Sequence, residues 1–199
     1  MTGSNILRRI CVFCGSNAGR RPEYAEAARE MGRVLVERGI GLVYGGGNVG
    51  LMGIVADTVL AAGGEVVGVI PEALMAREVG HAGLTEMHVV RTMHERKALM
   101  ADRADGFVAL PGGFGTFEEF CEVLTWSQLG FHPKPCGLLN VAGYYDLLLA
   151  LFSHAVDEGF VPPQHRALVI EETDPARLLD RFADFRPPTA GKWITPDER

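Results

Sequence analysis

Leu110-Pro111-Gly112-Gly113-Phe114-Gly115-Thr116-Phe117-Glu118-Glu119 is the stretch that orients the whole chain. The apolar run before it, residues 106–110, reads as a strand, and residues 117–129 read as a helix. Gly112, Gly113 and Gly115 let the main chain turn sharply and approach a ligand closely. The N–H groups opening the next helix would face an anion, with the helix dipole behind them. Strand, glycine turn and helix together predict a phosphate-holding turn built from Gly112, Gly113, Phe114, Gly115 and Thr116, with the Glu119 carboxylate one helical turn further on. A plainer reading stands beside it. Thr116 and Glu119 have the S/T-x-x-E spacing of a capping box, and Glu118, Glu119 and Glu122 would favour the dipole of any helix starting here.

Outward from that turn, strand-like and helix-like runs alternate. Strands are predicted at 10–14, 42–44, 66–70, 87–91, 106–110, 136–140 and 168–171. Helices are predicted at 23–38, 51–62, 93–103, 117–129, 144–158 and 175–182, with Gly39 closing the first and Gly63-Gly64 the second. This rhythm gives an α/β fold, a doubly wound and mostly parallel sheet with helices on both faces. Ligands bind such sheets at the carboxyl ends of the strands, where both glycine-rich turns fall. Residues 71–86 lack periodicity and form a connection longer than most, which favours a functional loop. Residues 1–185 read as a single nucleotide-binding domain and 186–199 as a loose, Pro-containing tail.

The second glycine turn, Gly45-Gly46-Gly47-Asn48-Val49-Gly50, matches G-x-G-x-x-G between a strand and a helix. It follows the second predicted strand rather than the first, and the acid expected at the end of the next strand is poorly met. Nicotinamide binding is therefore disfavoured, and a tight turn with close helix–strand packing explains the glycines as well as ligand contact does. No Walker-type phosphate loop occurs.

Composition narrows the function further. The 199 residues are 47% hydrophobic and 22% charged, with a net charge of −6, which speaks against nucleic acid as partner. No apolar run reaches membrane-spanning length and the first residues lack a signal-peptide core, so no membrane contact and a cytoplasmic location are expected. The pair Cys11 and Cys14 lies in a strand-like run and reads as buried apolar packing rather than a redox motif. No metal-ligand spacing stands out, with His81, His88 and His94 too irregular for a site, and no cofactor is expected. In Arg91-Thr92-Met93-His94-Glu95-Arg96-Lys97, helical spacing puts Met93, Arg96, Lys97 and Met100 on one face. That face is either a solvated basic edge or a cationic group reaching the phosphate turn.

Four motifs occur in order: Cys11-Val12-Phe13-Cys14-Gly15-Ser16; Tyr44-Gly45-Gly46-Gly47 with Gly50-Leu51-Met52-Gly53; Met93-His94-Glu95-Arg96-Lys97; and Pro111-Gly112-Gly113-Phe114-Gly115-Thr116 with Glu119. Together they resemble the LOG (Lonely Guy) family of cytokinin riboside 5′-monophosphate phosphoribohydrolases, over roughly residues 8–182. The resemblance implies a Rossmann-like fold, a homodimer, and hydrolysis of the N-glycosidic bond of AMP or an N6-substituted AMP to free base and ribose 5-phosphate. It places the catalytic pair on Arg96 and Glu119, and nucleotide contacts on Glu78, Arg96, Lys97, Gly113 to Glu119, and Thr125. Arg96 would either orient Glu119 through an ion pair and favour its ionised form, or contact the nucleotide. The lysine-decarboxylase label often attached to such chains fits poorly. A Schiff-base lysine is needed, and only Lys97, Lys134 and Lys192 exist. The rival reading is a non-catalytic nucleotide or molybdenum-cofactor carrier of similar fold.

Overall fold

A computed structural model describes residues 5–75 and 80–187. The predicted strands form one seven-stranded sheet. They are β1 (Arg9–Phe13), β2 (Gly41–Tyr44), β3 (Val66–Pro71), β4 (Glu86–Val90), β5 (Gly106–Ala109), β6 (Cys136–Leu139) and β7 (Val169–Glu172). Their order is β4-β3-β2-β1-β5-β6-β7, and every neighbouring pair is parallel. The helices are α1 (Pro22–Glu37), α2 (Gly50–Ala61), α3 (Glu72–Met75), α4 (Met93–Arg103), α5 (Phe114–Leu129), α6 (Asp146–Asp157), α7 (Pro163–Arg166) and α8 (Pro175–Asp184).

The central strands are buried on both faces, which is why they read as continuous apolar runs. Ile10, Val12, Leu42, Tyr44 and Val108 pack with α1, α2 and α8. Cys11, Phe13, Val43, Phe107 and Ala109 pack with α4, α5 and α6 on the other side. Phe182 of α8 lies across β5 and β6. A Cβ added at Gly106 or Gly137 would stand 2.9 or 2.8 Å from its ring. The glycines in these two strands thus make room for an aromatic side chain, and removing that ring would cost about 3–5 kcal/mol. Beside it, Asn5 ties the chain start to the end of α8. Its N–H donates to Ala183 O at 2.8 Å, and its Nδ2 to Phe182 O at 3.0 Å and Phe185 O at 2.8 Å.

The chain steps outward from β1 to β4, then returns through α4 to β5 on the other side of β1. The strand order therefore reverses between β1 and β5, and the crevice at their carboxyl ends is where such sheets bind ligands. Two departures from the sequence expectation matter for that crevice. Helix α5 starts at Phe114, three residues earlier than expected, because Gly113 in extended conformation already serves as its N-cap. Helix α6 starts at Asp146 rather than 144, because a 3-10 turn over Val141–Gly143 precedes it. Within the expected loop 71–86, residues 72–75 form a helical turn. Gly80 makes an antiparallel bridge to Gly47. The tail from residue 188 lies outside the described residues.

Candidate active site

The main chain closes the crevice on itself before any side chain enters. Leu110 N–H donates to Phe13 O at 2.9 Å, Gly15 N–H to Pro111 O at 3.1 Å, and Leu51 N–H to Gly15 O at 3.0 Å. These bonds tie the ends of β1 and β5 to the start of α2. Gly50 permits this approach, since a Cβ there would stand 2.3 Å from the carbonyl carbon of Ser16. A cleft of about 270 Å³ opens above, lined by Ser16, Asn17, Gly112, Gly113, Tyr24 and Tyr144 among others. Tyr144 donates its hydroxyl to the Gly112 carbonyl, and Tyr145 donates to Leu110 O at 2.6 Å. Tyr24 packs edge-on against Tyr144, with ring centroids 5.7 Å apart. Two aromatic rings thus brace the predicted phosphate turn from one side.

The turn itself is preorganised. The first bond of α5 runs from Phe117 N–H to Gly113 O, so the amides of Phe114, Gly115 and Thr116 lie at the open end of the helix. Thr116 is 3% exposed and packs beneath the turn, where a Cβ at Gly112 would stand 2.1 Å from Thr116 Oγ1. Among the described residues nothing lies within 4 Å of a Cβ added at Gly113 or Gly115. Phe114 points away, 92% exposed. The capping-box reading of Thr116 and Glu119 does not hold. Thr116 stands inside the helix, and α5 has no side-chain N-cap.

Helix α4 brings the cations. Arg96 and Lys97 are 7% and 8% exposed, so the solvated-edge reading of this run is set aside. Arg96 Nε donates to Val69 O at 3.1 Å, Nη2 donates to Gly45 O at 3.0 Å, and Nη1 lies 3.6 Å from Met93 Sδ. The expected Arg96–Glu119 ion pair is not what holds this guanidinium. Among the described residues no carboxylate lies within ion-pair distance of Arg96, and main-chain carbonyls at the ends of β2 and β3 orient it instead. Lys97 crosses to α5, its Nζ 2.5 Å from Glu118 Oε1 and 2.9 Å from Glu122 Oε1. Burial pulls its ammonium pKa down, but the hydrogen bonds from the two carboxylates outweigh that and hold it above the ordinary value. Glu118 and Glu122 therefore form a cross-helix brace and are not mere dipole partners.

Glu119 lies past the first turn of α5, half-buried. Its carboxylate and the Arg96 guanidinium act on the same thiol. Burial raises the Cys11 pKa first, Glu119 raises it further and Arg96 lowers it; Glu119 also adds to the burial that raises Cys14. Cys11 and Cys14 are buried free thiols held protonated, as their strand position predicts.

Other site residues are placed less directly. Glu78 lies outside the described residues. Thr125 is exposed, donates to Cys121 O at 2.7 Å, and lines a separate cleft of about 180 Å³ with Cys121, Gln128, His165 and Arg166. One copy of the chain does not bring it to the glycine turn. Tyr24, Tyr144 and the seat at Gly45 escaped the sequence reading. A Cβ at Gly45 would stand 2.0 Å from Arg96 Nη2, and nothing in local spacing announces a contact across 51 residues. Among the described residues there is no metal-binding cluster and no helix long and apolar enough to cross a membrane.

A family model described as "Possible lysine decarboxylase" matches residues 52–182. The probable cytokinin riboside 5′-monophosphate phosphoribohydrolase LOGL9 of Oryza sativa subsp. japonica is 54% identical over 181 residues, covering 91% of this chain and 80% of that protein. The chain belongs to the LOG family. Another LOG relative, the cytokinin riboside 5′-monophosphate phosphoribohydrolase LOG7 of Arabidopsis thaliana, is 52% identical over 91% of this chain and 83% of its own. Among solved structures, a molybdenum cofactor carrier protein from Chlamydomonas reinhardtii superposes with a TM-score of 0.65, over 87% of this chain and 98% of that one. At 23% identity that likeness shows a common fold and nothing more. The lysines of this LOG chain do not suit the decarboxylase description. Lys97 stays an ammonium between two carboxylates. Lys134 donates to Ala101 O at 2.7 Å just before β6, at the end of the sheet opposite the glycine turns. Lys192 lies outside the described residues.

Proposed function

We propose that this chain hydrolyses the N-glycosidic bond of a nucleoside 5′-monophosphate of the cytokinin type, AMP or an N6-substituted AMP, releasing free base and ribose 5-phosphate. One observation carries the reading: an acid, Glu119, stands on the same helix as an open amide-lined turn, just beyond its first turn. The amides of Phe114, Gly115 and Thr116 would hold the 5′-phosphate, and the helix dipole would add to that attraction. The ribose then projects toward Glu119. Cleavage builds positive charge on the sugar ring, as in glycoside hydrolysis, and a carboxylate beside the ring stabilises it. The same carboxylate orients or deprotonates the attacking water. Arg96, fixed by two carbonyls, presents its remaining donors toward the nucleotide, and its fork suits an anionic oxygen. Lys97 supports α5 from behind, and Glu78 and Thr125 remain assigned to the nucleotide by resemblance alone.

A homodimer is part of the proposal. The apolar residues of α5, which suit a dimer and a deep core equally by sequence, are core: Phe120 is 1% exposed and Leu124 packs against both cores. Unburied apolar surface lies instead on α6 and just beyond it, at Leu147, Leu151 and Phe160. Four unpaired cysteines favour a reducing compartment such as the cytoplasm.

The test is release of adenine from AMP, or of base from an isopentenyl derivative, by wild type, Glu119→Gln and Arg96→Ala. Each folded variant is expected to lose more than about a hundredfold in kcat/KM, roughly 2.7 kcal/mol of transition-state stabilisation. Near wild-type turnover in both would overturn the assignment. Tight nucleotide binding without base release would instead favour a carrier.

A further inference from the structure

Among the described residues Ala142 alone combines a side chain with a positive φ, at +50°, and Gly143 follows it at +72°. A left-handed backbone crowds the Cβ of an ordinary residue, so such a turn persists where its surroundings over-determine it. Here the surroundings are a clasp around Asn140, which is 4% exposed. Its Nδ2 donates to Asp146 Oδ1 at 2.7 Å and to Glu171 Oε1 at 2.9 Å, and its Oδ1 accepts from Tyr145 N–H at 2.8 Å. Its main-chain N–H donates to Glu172 O at 2.8 Å. Both carboxamide hydrogens are thus used, and the side chain joins the ends of β6 and β7 to the start of α6. Asp146 closes the turn from the other side, since a Cβ at Gly143 would stand 2.6 Å from its Oδ2.

What leaves this turn reaches the site. Tyr144 N–H donates to Val141 O at 3.0 Å and Tyr145 N–H to Asn140 Oδ1, so both tyrosines are fixed at the main chain before their rings extend. The Tyr144 hydroxyl then donates to Gly112 O, and the Tyr145 hydroxyl to Leu110 O at 2.6 Å. These two carbonyls flank Pro111, at the entry to the glycine turn. The Gly112 carbonyl belongs to the same peptide as the N–H of Gly113, the N-cap of α5. A hydrogen bond accepted by a carbonyl polarises its peptide and strengthens the N–H on the other side. The clasp at Asn140 is therefore connected to the opening of α5 by hydrogen bonds at every step.

We infer that Asn140 is a positioning residue for the 5′-phosphate of the nucleotide: by clasping the left-handed turn at 142–143 it sets Tyr144 and Tyr145 on the Gly112 and Leu110 carbonyls and so fixes the tilt of the peptides that open α5. The inference rests on the reading of residues 112–116 as the phosphate holder. Loss of the carboxamide frees the turn, lets the two hydroxyls leave their carbonyls and weakens the grip on the anion, while the chemistry at Glu119 is left intact.

The experiment is calorimetric titration with ribose 5-phosphate beside the 15N NMR shift of the Gly113 amide, in wild type, Asn140→Ala, Tyr144→Phe, the double variant of these two, and Asp146→Ala. Asn140→Ala is expected to weaken binding about tenfold and to move the Gly113 amide in the direction seen in Tyr144→Phe. In the Tyr144→Phe background the same change is expected to add only about twofold, the share carried by Tyr145, because the main route is already cut. Asp146 is exposed, so Asp146→Ala folds and is expected to show the same amide shift with about a threefold loss of binding. For AMP the loss is expected in KM with kcat nearly unchanged. A full tenfold loss in both backgrounds overturns the proposal, as does a Gly113 amide that stays put in folded Asn140→Ala. Should Asn140→Ala not fold, an unmoved Gly113 amide in Asp146→Ala overturns it equally. Should wild type not bind ribose 5-phosphate, the phosphate reading fails by itself, while the Gly113 amide still decides whether Asn140 sets the turn.

Discussion

A methyl group on Gly45 would stand 2.0 Å from Nη2 of Arg96, so the absence of a side chain at 45 is what seats the guanidinium. The first glycine of the G-x-G-x-x-G match thus serves an arginine and not a dinucleotide. Gly45→Ala displaces the far end of a flexible side chain, so the stability loss is expected to stay below about 1 kcal/mol. The kcat/KM for base release is expected to fall about a hundredfold, because the displaced group is the proposed catalytic one. Denaturant melts read beside kinetics check this, and wild-type kinetics in a folded variant would refute the seat.

The three glycines of the other turn answer to different demands. Gly112 is required by the protein, since its Cβ would meet Thr116 and the Gly15 main chain. Gly113 and Gly115 have no neighbour within 4 Å of an added Cβ among the described residues. Gly112→Ala is therefore expected to cost about 1–3 kcal/mol of stability. Gly113→Ala is expected to leave stability within about 0.5 kcal/mol while weakening AMP binding at least about tenfold, because only the ligand needs that space. Calorimetric titration with AMP of each variant separates the two cases.

Lys97 spans α4 and α5 with 9% of its side chain exposed, and Glu122 Oε2 beside it is buried without a hydrogen-bond partner among the described residues. Lys97→Met leaves two acids facing each other across a helix interface and is expected to destabilise by about 1–2 kcal/mol. The folded-state pKa of this lysine is raised. Its contribution is thus fully present below the unfolded value near 10.5 and is lost as pH rises through the folded one. Urea melts from pH 8 to pH 11 should show the gap between wild type and Lys97→Met closing only at the alkaline end. A gap that closes near neutrality would show that the brace is not ionic.

Tyr144 donates to the Gly112 carbonyl and so sets the tilt of the peptide that opens the proposed phosphate turn. Tyr144→Phe keeps the ring packing against Tyr24 and Tyr145 and removes one hydrogen bond, about 1 kcal/mol. The expected kinetic signature is a higher KM with kcat nearly unchanged, since the turn binds the phosphate in ground and transition state alike. A selective drop in kcat would place this tyrosine nearer the reaction than the structure suggests.

The sheet was legible because each strand is a run of β-branched and aliphatic residues punctuated by glycine and proline, and the helices because their apolar spacing survives. The glycine turn that opens α5 was legible because Pro111-Gly112-Gly113 has few structural uses other than close approach. The start of α5 was misjudged by three residues, because Gly113 caps the helix with its extended main chain and Thr116 imitates a cap. The partner of Arg96 was misjudged for a different reason. A carbonyl acceptor is contributed by the backbone of any residue, so no side-chain type at 45 or 69 could announce it. His81 was set aside as a poor metal ligand, and its pairing with Asp57, 24 residues away, exists only once α2 packs beside the loop.

Asn5 and Phe185 meet at the rim of the sheet opposite the glycine turns, joined by an amide bond to a carbonyl at 2.8 Å. The two ends of the described fold are therefore neighbours, and the proposed chemistry sits at the far pole. A circularly permuted chain, sealed by a short linker across this seam and reopened in a surface loop on the same rim, should retain its catalytic architecture. The fold separates where it is sewn shut from where it works, which makes this rim the natural attachment point for a fused reporter.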